Sequence, residues 1–233
     1  GGYFLYESAK PIGDAYSKAG HAKTMGELDA AGHQLGDAGG ALGAALAANY
    51  EYLSQPRNIQ TKDSMLGAYL GPEYSDDYIA QVLNRLGAKF ETYSEIELLS
   101  KTATLLAQDM VVGWFQGRME FGPRALGARS ILANPRSPDM QKNLNLKIKF
   151  RESFRPFAPA ILEEDLQDWF DLKESSPYML MVARVKKSRC LEMTEEQKKL
   201  FGINQLNVKR SEVPAITHVD YSARIQTVNQ QVN

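Results

Sequence analysis

From Ser75 to Val228 the chain alternates segments of helical apolar spacing with short apolar runs of strand length. That alternation restricts it to a sheet flanked by helices, an α/β or α+β domain. "SDDYIAQVLNRLG" (75–87) opens on an Asp/Ser cap, carries Tyr78, Ile79, Val82, Leu83 and Leu86 at helical spacing, and closes at Gly87. "KFETY" (89–93) reads as a strand. "SEIELLSKTATLLAQ" (94–108) reads as a second helix with Ser94 as its cap. The continuous apolar run "MVVGWFQG" (110–117) has the length of a buried strand, and "SILANP" (130–135) that of another. "SPDMQKNLNLKIKF" (137–150) is expected to be helical, with Pro138 in its first turn. "RPFAPAIL" (155–162) and "YMLMVARVKK" (178–187) are expected strands. "TEEQKKLFGI" (194–203) is a short helix opened by a Thr–Glu cap, and "AITHVD" (215–220) with "SARIQTV" (222–228) a strand pair. Upstream, "LGDAGGALGAALAANYEYL" (35–53) reads as a Gly-rich turn entering a small-residue helix, and 54–77 as a linker.

The 233 residues carry a net charge of −1, which argues against a surface that coats nucleic acid or membrane generally. The balance is uneven, however. Between Val111 and Arg155 stand nine cations (Arg118, Arg124, Arg129, Arg136, Lys142, Lys147, Lys149, Arg151, Arg155) and three acids (Glu120, Asp139, Glu152). The single cysteine, Cys190, forms no internal disulfide and fits a reducing compartment, and the most apolar stretch is too short to span a bilayer. A cytoplasmic location is the expectation. The first residues begin as if mid-element and the last stop abruptly, so the chain is expected to be a piece of a longer protein.

Two clusters carry the chemistry. In "GRMEFGPRALGARS" (117–130) Arg118, Arg124 and Arg129 are spaced by Gly, Pro and apolar residues rather than by acids. Pro123 after Gly122 suggests a helix start whose N–H groups would face an anion. Guanidinium forks match phosphate and carboxylate geometry, although pairing with surface acids is the alternative. In "LNLKIKFRESFRPFAP" (144–159) Lys147, Lys149 and Arg151 alternate with Ile148 and Phe150. On a strand they would share a face; on a helix they would spread around it. Together the clusters suit a polyanion such as a triphosphate, pyrophosphate or nucleic-acid backbone, against the alternative of a solvated basic face. Asp37, before paired glycines, is a helix cap or a metal ligand. His21, His33 and His218 form no metal-binding spacing, and each is read as a surface or satisfied core residue.

The segment "GWFQGRMEFGPRALGARSILANPRSPDMQKNLNLKIKFRESFRPFAPAIL" (113–162) closely resembles the C-terminal domain of the NodU/CmcH family of O-carbamoyltransferases, to which the tobramycin and cephamycin enzymes belong. "PAITHVDYSARIQTV" (214–228) resembles the family's next block, and "GDAGGALGAAL" (36–46) the end of its N-terminal domain. The resemblance implies residues 1–70 as the end of an actin/sugar-kinase-like transfer domain plus linker. It implies 71–233 as a YrdC-like domain, a twisted mixed sheet with flanking helices, truncated at its C-terminus. Such a domain joins carbamoyl phosphate to ATP, with Mg2+, releasing pyrophosphate and making carbamoyl adenylate. The N-terminal domain, with an Fe2+-type metal, then passes the carbamoyl group to a hydroxyl acceptor.

By the same resemblance Lys149 and Arg151 match the K-x-R element of the catalytic site. Arg118, Arg124, Arg129, Lys147, Arg155, Ser222 and Arg224 are implied as further carbamoyl phosphate or ATP contacts, and Asp37 as a metal ligand. Tyr6 stands where the family has Asn. Two histidine ligands are expected upstream and an N-T-S-F-N segment downstream. The partners implied are small molecules, with no membrane or nucleic acid and with a homodimer allowed for. The alternative from another class is an RNA-binding module related to tRNA modification, which salt-dependent RNA affinity without a response to carbamoyl phosphate would favour.

Overall fold

The computed structural model describes residues 3–5, 43–57 and 65–230. Asp37, Tyr6, His21, His33 and most of "GDAGGALGAAL" lie outside them. The described chain is mixed α/β and falls into two compact units, 1–94 with 117–125, and 95–116 with 126–233.

In the first unit, residues 43–47 are helical and run into a π-helical turn, Ala48–Tyr52. Strand β1 (Tyr3–Leu5) pairs antiparallel with β2 (Glu91–Tyr93). Helix α1 (Asp76–Arg85) starts as its sequence dictates: the Ser75 hydroxyl accepts from the Tyr78 amide at 3.3 Å, satisfying one orphan donor of the first turn. Its far end closes at Gly87, whose φ of 65° needs a residue without Cβ. The expected linker contains a 3-10 turn, Leu66–Ala68, against which the arginine-rich segment is fastened. There the Gly71 amide donates to the Met119 carbonyl at 2.9 Å and the Met119 amide to the Pro72 carbonyl at 3.0 Å. A Cβ at Gly71 would lie 2.8 Å from the Met119 carbonyl oxygen, so this close approach requires glycine.

The second unit opens with α2 (Glu95–Ala107), which buries Leu98 and Thr102 one turn apart. Strands β3 (Val112–Phe115) and β4 (Arg129–Leu132) pair antiparallel, with Phe115 opposite Arg129. Helix α3 (Met140–Lys147) packs Met140 and Leu144 against Ala215. A three-stranded sheet follows in the order β5 (Ala160–Leu162), β7 (Ser222–Val228), β6 (Met181–Arg184). It is a mixed sheet, as expected: β7 runs parallel to β5 and antiparallel to β6. Two short helices complete the unit, α4 (Leu166–Trp169) and α5 (Glu195–Lys198). The second is opened by a full capping box between Thr194 and Gln197 rather than by a glutamate.

The main core gathers Leu166, Phe170, Leu172, Val185, Val213, Ile216, Ala223 and Ile225. Burying a side chain such as Ile225 or Leu166 contributes about 1.5–3 kcal/mol. Strand β7 is central. Its alternation sends Ala223 and Ile225 into this core and puts Ser222, Arg224 and Gln226 on the opposite face. Among the described residues no helix is long and apolar enough to cross a membrane.

Three sequence expectations are corrected. Residues 121–128 form no helix, so Pro123 starts none. Gly122 and Gly127 sit at φ 103° and 127°, outside the helical region, while the Phe121 amide is drawn to the Ala68 carbonyl. Lys147, Lys149 and Arg151 share neither a strand nor a helix, because α3 ends at Lys147 and Phe150 turns the chain at φ 48°. "AITHVD" is a run of turns rather than a strand, and "RPFAPAIL" contributes only Ala160–Leu162 to the sheet.

Candidate functional site

The basic loop after α3 is built by that helix. Where α3 runs out of partners, the Lys149 amide bonds back to the Leu144 carbonyl at 2.9 Å and the Arg151 amide to the Asn145 carbonyl at 3.0 Å. The Asn145 side chain, fully buried, then does three things. Its amide donates to the carbonyls of Ser153 at 3.0 Å and Arg155 at 2.8 Å, and its oxygen accepts from the Arg151 Nε at 2.6 Å. Gln141, one turn earlier on α3, donates to the carbonyls of Phe154 and Arg155, each at 3.2 Å. Residues 149–155 are therefore pinned by two amides spaced i, i+4 on one helix. The Arg151 guanidinium also lies over the Phe157 ring, 5.0 Å from its centroid, so its plane is set on two sides.

This loop concentrates positive charge. Desolvation and then the Arg151 charge push the Lys149 ammonium below its ordinary range. Arg151 is shifted down by partial burial, then by Arg155, with Arg224 adding in the same direction and Glu152 opposing. Glu152 pairs with Arg155 at 2.9 Å on the exposed rim. Arg224 thus brings β7 into the set: its charge acts on Arg151 and also on His218. Next to Arg224 on the same strand face, Gln226 donates to the Leu126 carbonyl at 2.6 Å and holds the end of the "GPRALG" segment.

The turn that leads into β7 carries a second cluster. Asp220 Oδ1 accepts from the Ser222 hydroxyl at 2.7 Å and the Ser222 amide at 3.0 Å. Those two bonds hold its carboxyl below the usual carboxylate range. The Ser222 oxygen lies 2.9 Å from His218 Nδ1, and the His218 amide donates to the Ser222 carbonyl at 2.8 Å. Burial lowers the His218 pKa, Asp220 opposes, and Arg224 lowers it further. His218 is therefore neither a surface residue nor a satisfied one: its Nε2 is buried without a hydrogen-bond partner among the described residues.

Of the residues expected at the site, Arg151 acts on Lys149, Arg155 and Arg224 act on Arg151, and Ser222 stands on the same strand face as Arg224. Lys147 occupies the exposed last turn of α3, and Arg129 lies on β4 opposite Phe115. Arg118 and Arg124 belong to the first unit. There Arg118 donates to the Gly71 carbonyl at 3.0 Å and faces Glu73 at 3.6 Å, the acid pairing that its sequence left as an alternative. Among the described residues no three His, Cys, Asp or Glu side chains come together to hold a metal ion. Asp37, the expected metal ligand, lies outside the described residues.

Asn145, His218 and Asp220 are the residues sequence reading missed. The signals were there in form: Gln141 and Asn145 are two amides one helical turn apart, and His218, Asp220 and Ser222 recur at every second position. Neither pattern reveals what the amides hold or that the turn closes the triad.

The family described as "Carbamoyltransferase C-terminus" matches residues 103–233, which takes in the basic loop, Arg224 and the His218–Asp220–Ser222 turn. The chain belongs to this carbamoyltransferase C-terminal family. An uncharacterized protein of Synechocystis is 54% identical over 200 residues, 85% of this chain and 32% of that protein. Nodulation protein NolO of Bradyrhizobium diazoefficiens is 37% identical over 201 residues, 84% of this chain and 32% of that protein. Nodulation protein NolNO of Sinorhizobium fredii is 40% identical over 202 residues, 84% of this chain and 26% of its own. The chain thus spans about a third or less of the length of these relatives.

Proposed function

We propose that the second unit is the carbamoyl-activating part of an O-carbamoyltransferase, and that Lys149, Arg151, Arg155 and Arg224 bind the phosphates of carbamoyl phosphate and ATP. The observation that carries this reading is that cations of two elements, Arg155 of the 149–155 loop and Arg224 of β7, both act on Arg151, whose guanidinium is itself held by Asn145 and Phe157. Like charges that depress one another are a standing cost, and a bound polyanion removes it. A solvated basic face would separate its charges; here Asn145 and Phe157 fix the Arg151 guanidinium in place.

The reaction consumes one water. Carbamoyl phosphate loses inorganic phosphate, the carbamate oxygen attacks the α-phosphorus of ATP, and pyrophosphate leaves with the electrons of the broken P–O bond. Carbamoyl adenylate results. Negative charge grows on the α-phosphoryl oxygens and the departing pyrophosphate, where fixed guanidinium and ammonium groups stabilise it without reorganising. Transfer of the carbamoyl group to a hydroxyl of a small molecule, with Mg2+ accompanying the nucleotide, completes the proposed activity.

The half-reaction is tested by isotope exchange. This chain should incorporate labelled pyrophosphate into ATP only when carbamoyl phosphate is present, and Lys149→Ala should abolish the exchange. Exchange that proceeds equally without carbamoyl phosphate, or none despite saturating binding of both substrates, would refute adenylation.

A further inference from the structure

We propose that the apolar face of α1 is a contact between two copies of this chain, packed antiparallel about a twofold axis, with Arg85 of each copy on the tyrosine pair of the other. The inference concerns the first unit alone and is independent of the phosphate site.

Spacing along α1 gathers Ile79, Val82, Leu83 and Leu86 on one face, with Tyr78 and Arg85 together along one flank of it. Such a stripe ordinarily faces a core, yet no residue of α1 is buried. Tyr78 is 50% exposed, and Leu86, just past the last turn, is 72% exposed. Tyr74, Tyr78, Ile79, Val82, Leu83 and Arg85 line an open groove of about 280 Å³. The Tyr74 and Tyr78 rings stack at 5.5 Å with 17° between their planes, so one end of the groove is a double aromatic platform. The other end is a guanidinium, seven residues past Tyr78 and therefore roughly 10 Å along the axis.

That arrangement is complementary to itself. A twofold axis perpendicular to the helix reverses its direction and keeps each flank against the same flank of the second copy. Arg85 at one end of the flank then meets Tyr74 and Tyr78 at the other end, twice over, as cation–π contacts. Across the axis Ile79 lies against Leu86, and Val82 against Leu83. A parallel pair would instead set Arg85 beside Leu83 and Gly87, where it finds neither a ring nor an acid. The antiparallel pair also opposes the two helix dipoles. A ten-residue helix is about 15 Å long and offers less than the roughly 800 Å² per partner of a standard interface, so pairing is weak and depends on concentration.

Sedimentation equilibrium of this chain over roughly 10–500 µM tests the contact. The average mass should rise with concentration from the monomer value towards the dimer value. Leu86→Lys changes an exposed side chain beside the helix C-terminus, where a cation suits the dipole, so the fold is kept. It should weaken association roughly tenfold or more, because symmetry counts the substitution twice. Arg85→Glu should act likewise, while Arg85→Lys, which keeps a cation for the rings, should retain part of the affinity. Gln81→Glu, on the exposed opposite face of α1, should leave association unchanged. A monomer at every concentration would overturn the proposal. So would a dimer that survives both Leu86→Lys and Arg85→Glu, or one that Gln81→Glu weakens as much.

Discussion

At the scale of single residues, the site turns on side chains whose state is set by a neighbour. His218 is the clearest case. The fold depresses its pKa, so the unfolded chain binds that proton more readily than the native one. Its contribution is therefore fully present above the ordinary histidine value of about 6.5 and is lost as pH falls below it, through the folded-state value. Thermal midpoints should decline between pH 7.5 and 5.5 in wild type and less steeply in His218→Phe; parallel declines would contradict this. Asp220 acts in a lower window, because its pKa is depressed from a carboxylate value. Little of this could be read from the sequence. A histidine with no metal spacing is indistinguishable from a packed one until the turn brings Ser222 Oγ to its ring. Arg118 illustrates the reverse: its spacers suggested a free cation, and Glu73 stands beside it.

At the scale of elements, α3 does more than its amphipathic pattern announces. Its apolar residues Met140 and Leu144 face the core, and its amides Gln141 and Asn145 hold the basic loop. Asn145→Ala removes two donors and the acceptor of Arg151 at a fully buried position. It should cost about 1–3 kcal/mol by chemical denaturation and weaken phosphate binding. Asn145→Asp keeps an acceptor for Arg151 but not the two donors, and should retain more binding than Ala for a comparable loss of stability. Equal binding by wild type and Asn145→Ala would show that the loop does not need this support.

Element identities were largely legible: α1 with its Ser75 cap, the apolar run that becomes β3, and β7 all stand where periodicity and capping put them. The failures share a cause. At 121–128 and 147–151 the local pattern favoured a helix or a strand, but a long-range hydrogen bond to Ala68 and the closing bonds to Leu144 and Asn145 at the end of α3 go with positive-φ turns at Gly122, Gly127 and Phe150. Local propensity is a weak prior against such tertiary demands.

At the scale of the whole molecule, the charge asymmetry seen along the sequence resolves into two places. Arg118 and Arg124 sit in one unit, and the set around Arg151 in the other. The second set combines a helix-braced loop with a central strand whose other face is core, so its geometry is anchored by the most buried part of the unit. Family membership was readable from residues 113–162 and 214–228, both of which lie within the span that the family matches. Their meeting was not readable, since nearly seventy positions separate Arg155 from Arg224.

The measurement that tests this meeting most directly is the affinity of carbamoyl phosphate for wild type, Arg151→Ala and Arg224→Ala at fixed ionic strength. Removing either guanidinium from a shared site should weaken binding roughly tenfold or more. The double variant should lose less than the product of the two single effects, because each arginine's contribution includes the other's. Unchanged affinity in both single variants would contradict a common phosphate site formed by the 149–155 loop and β7.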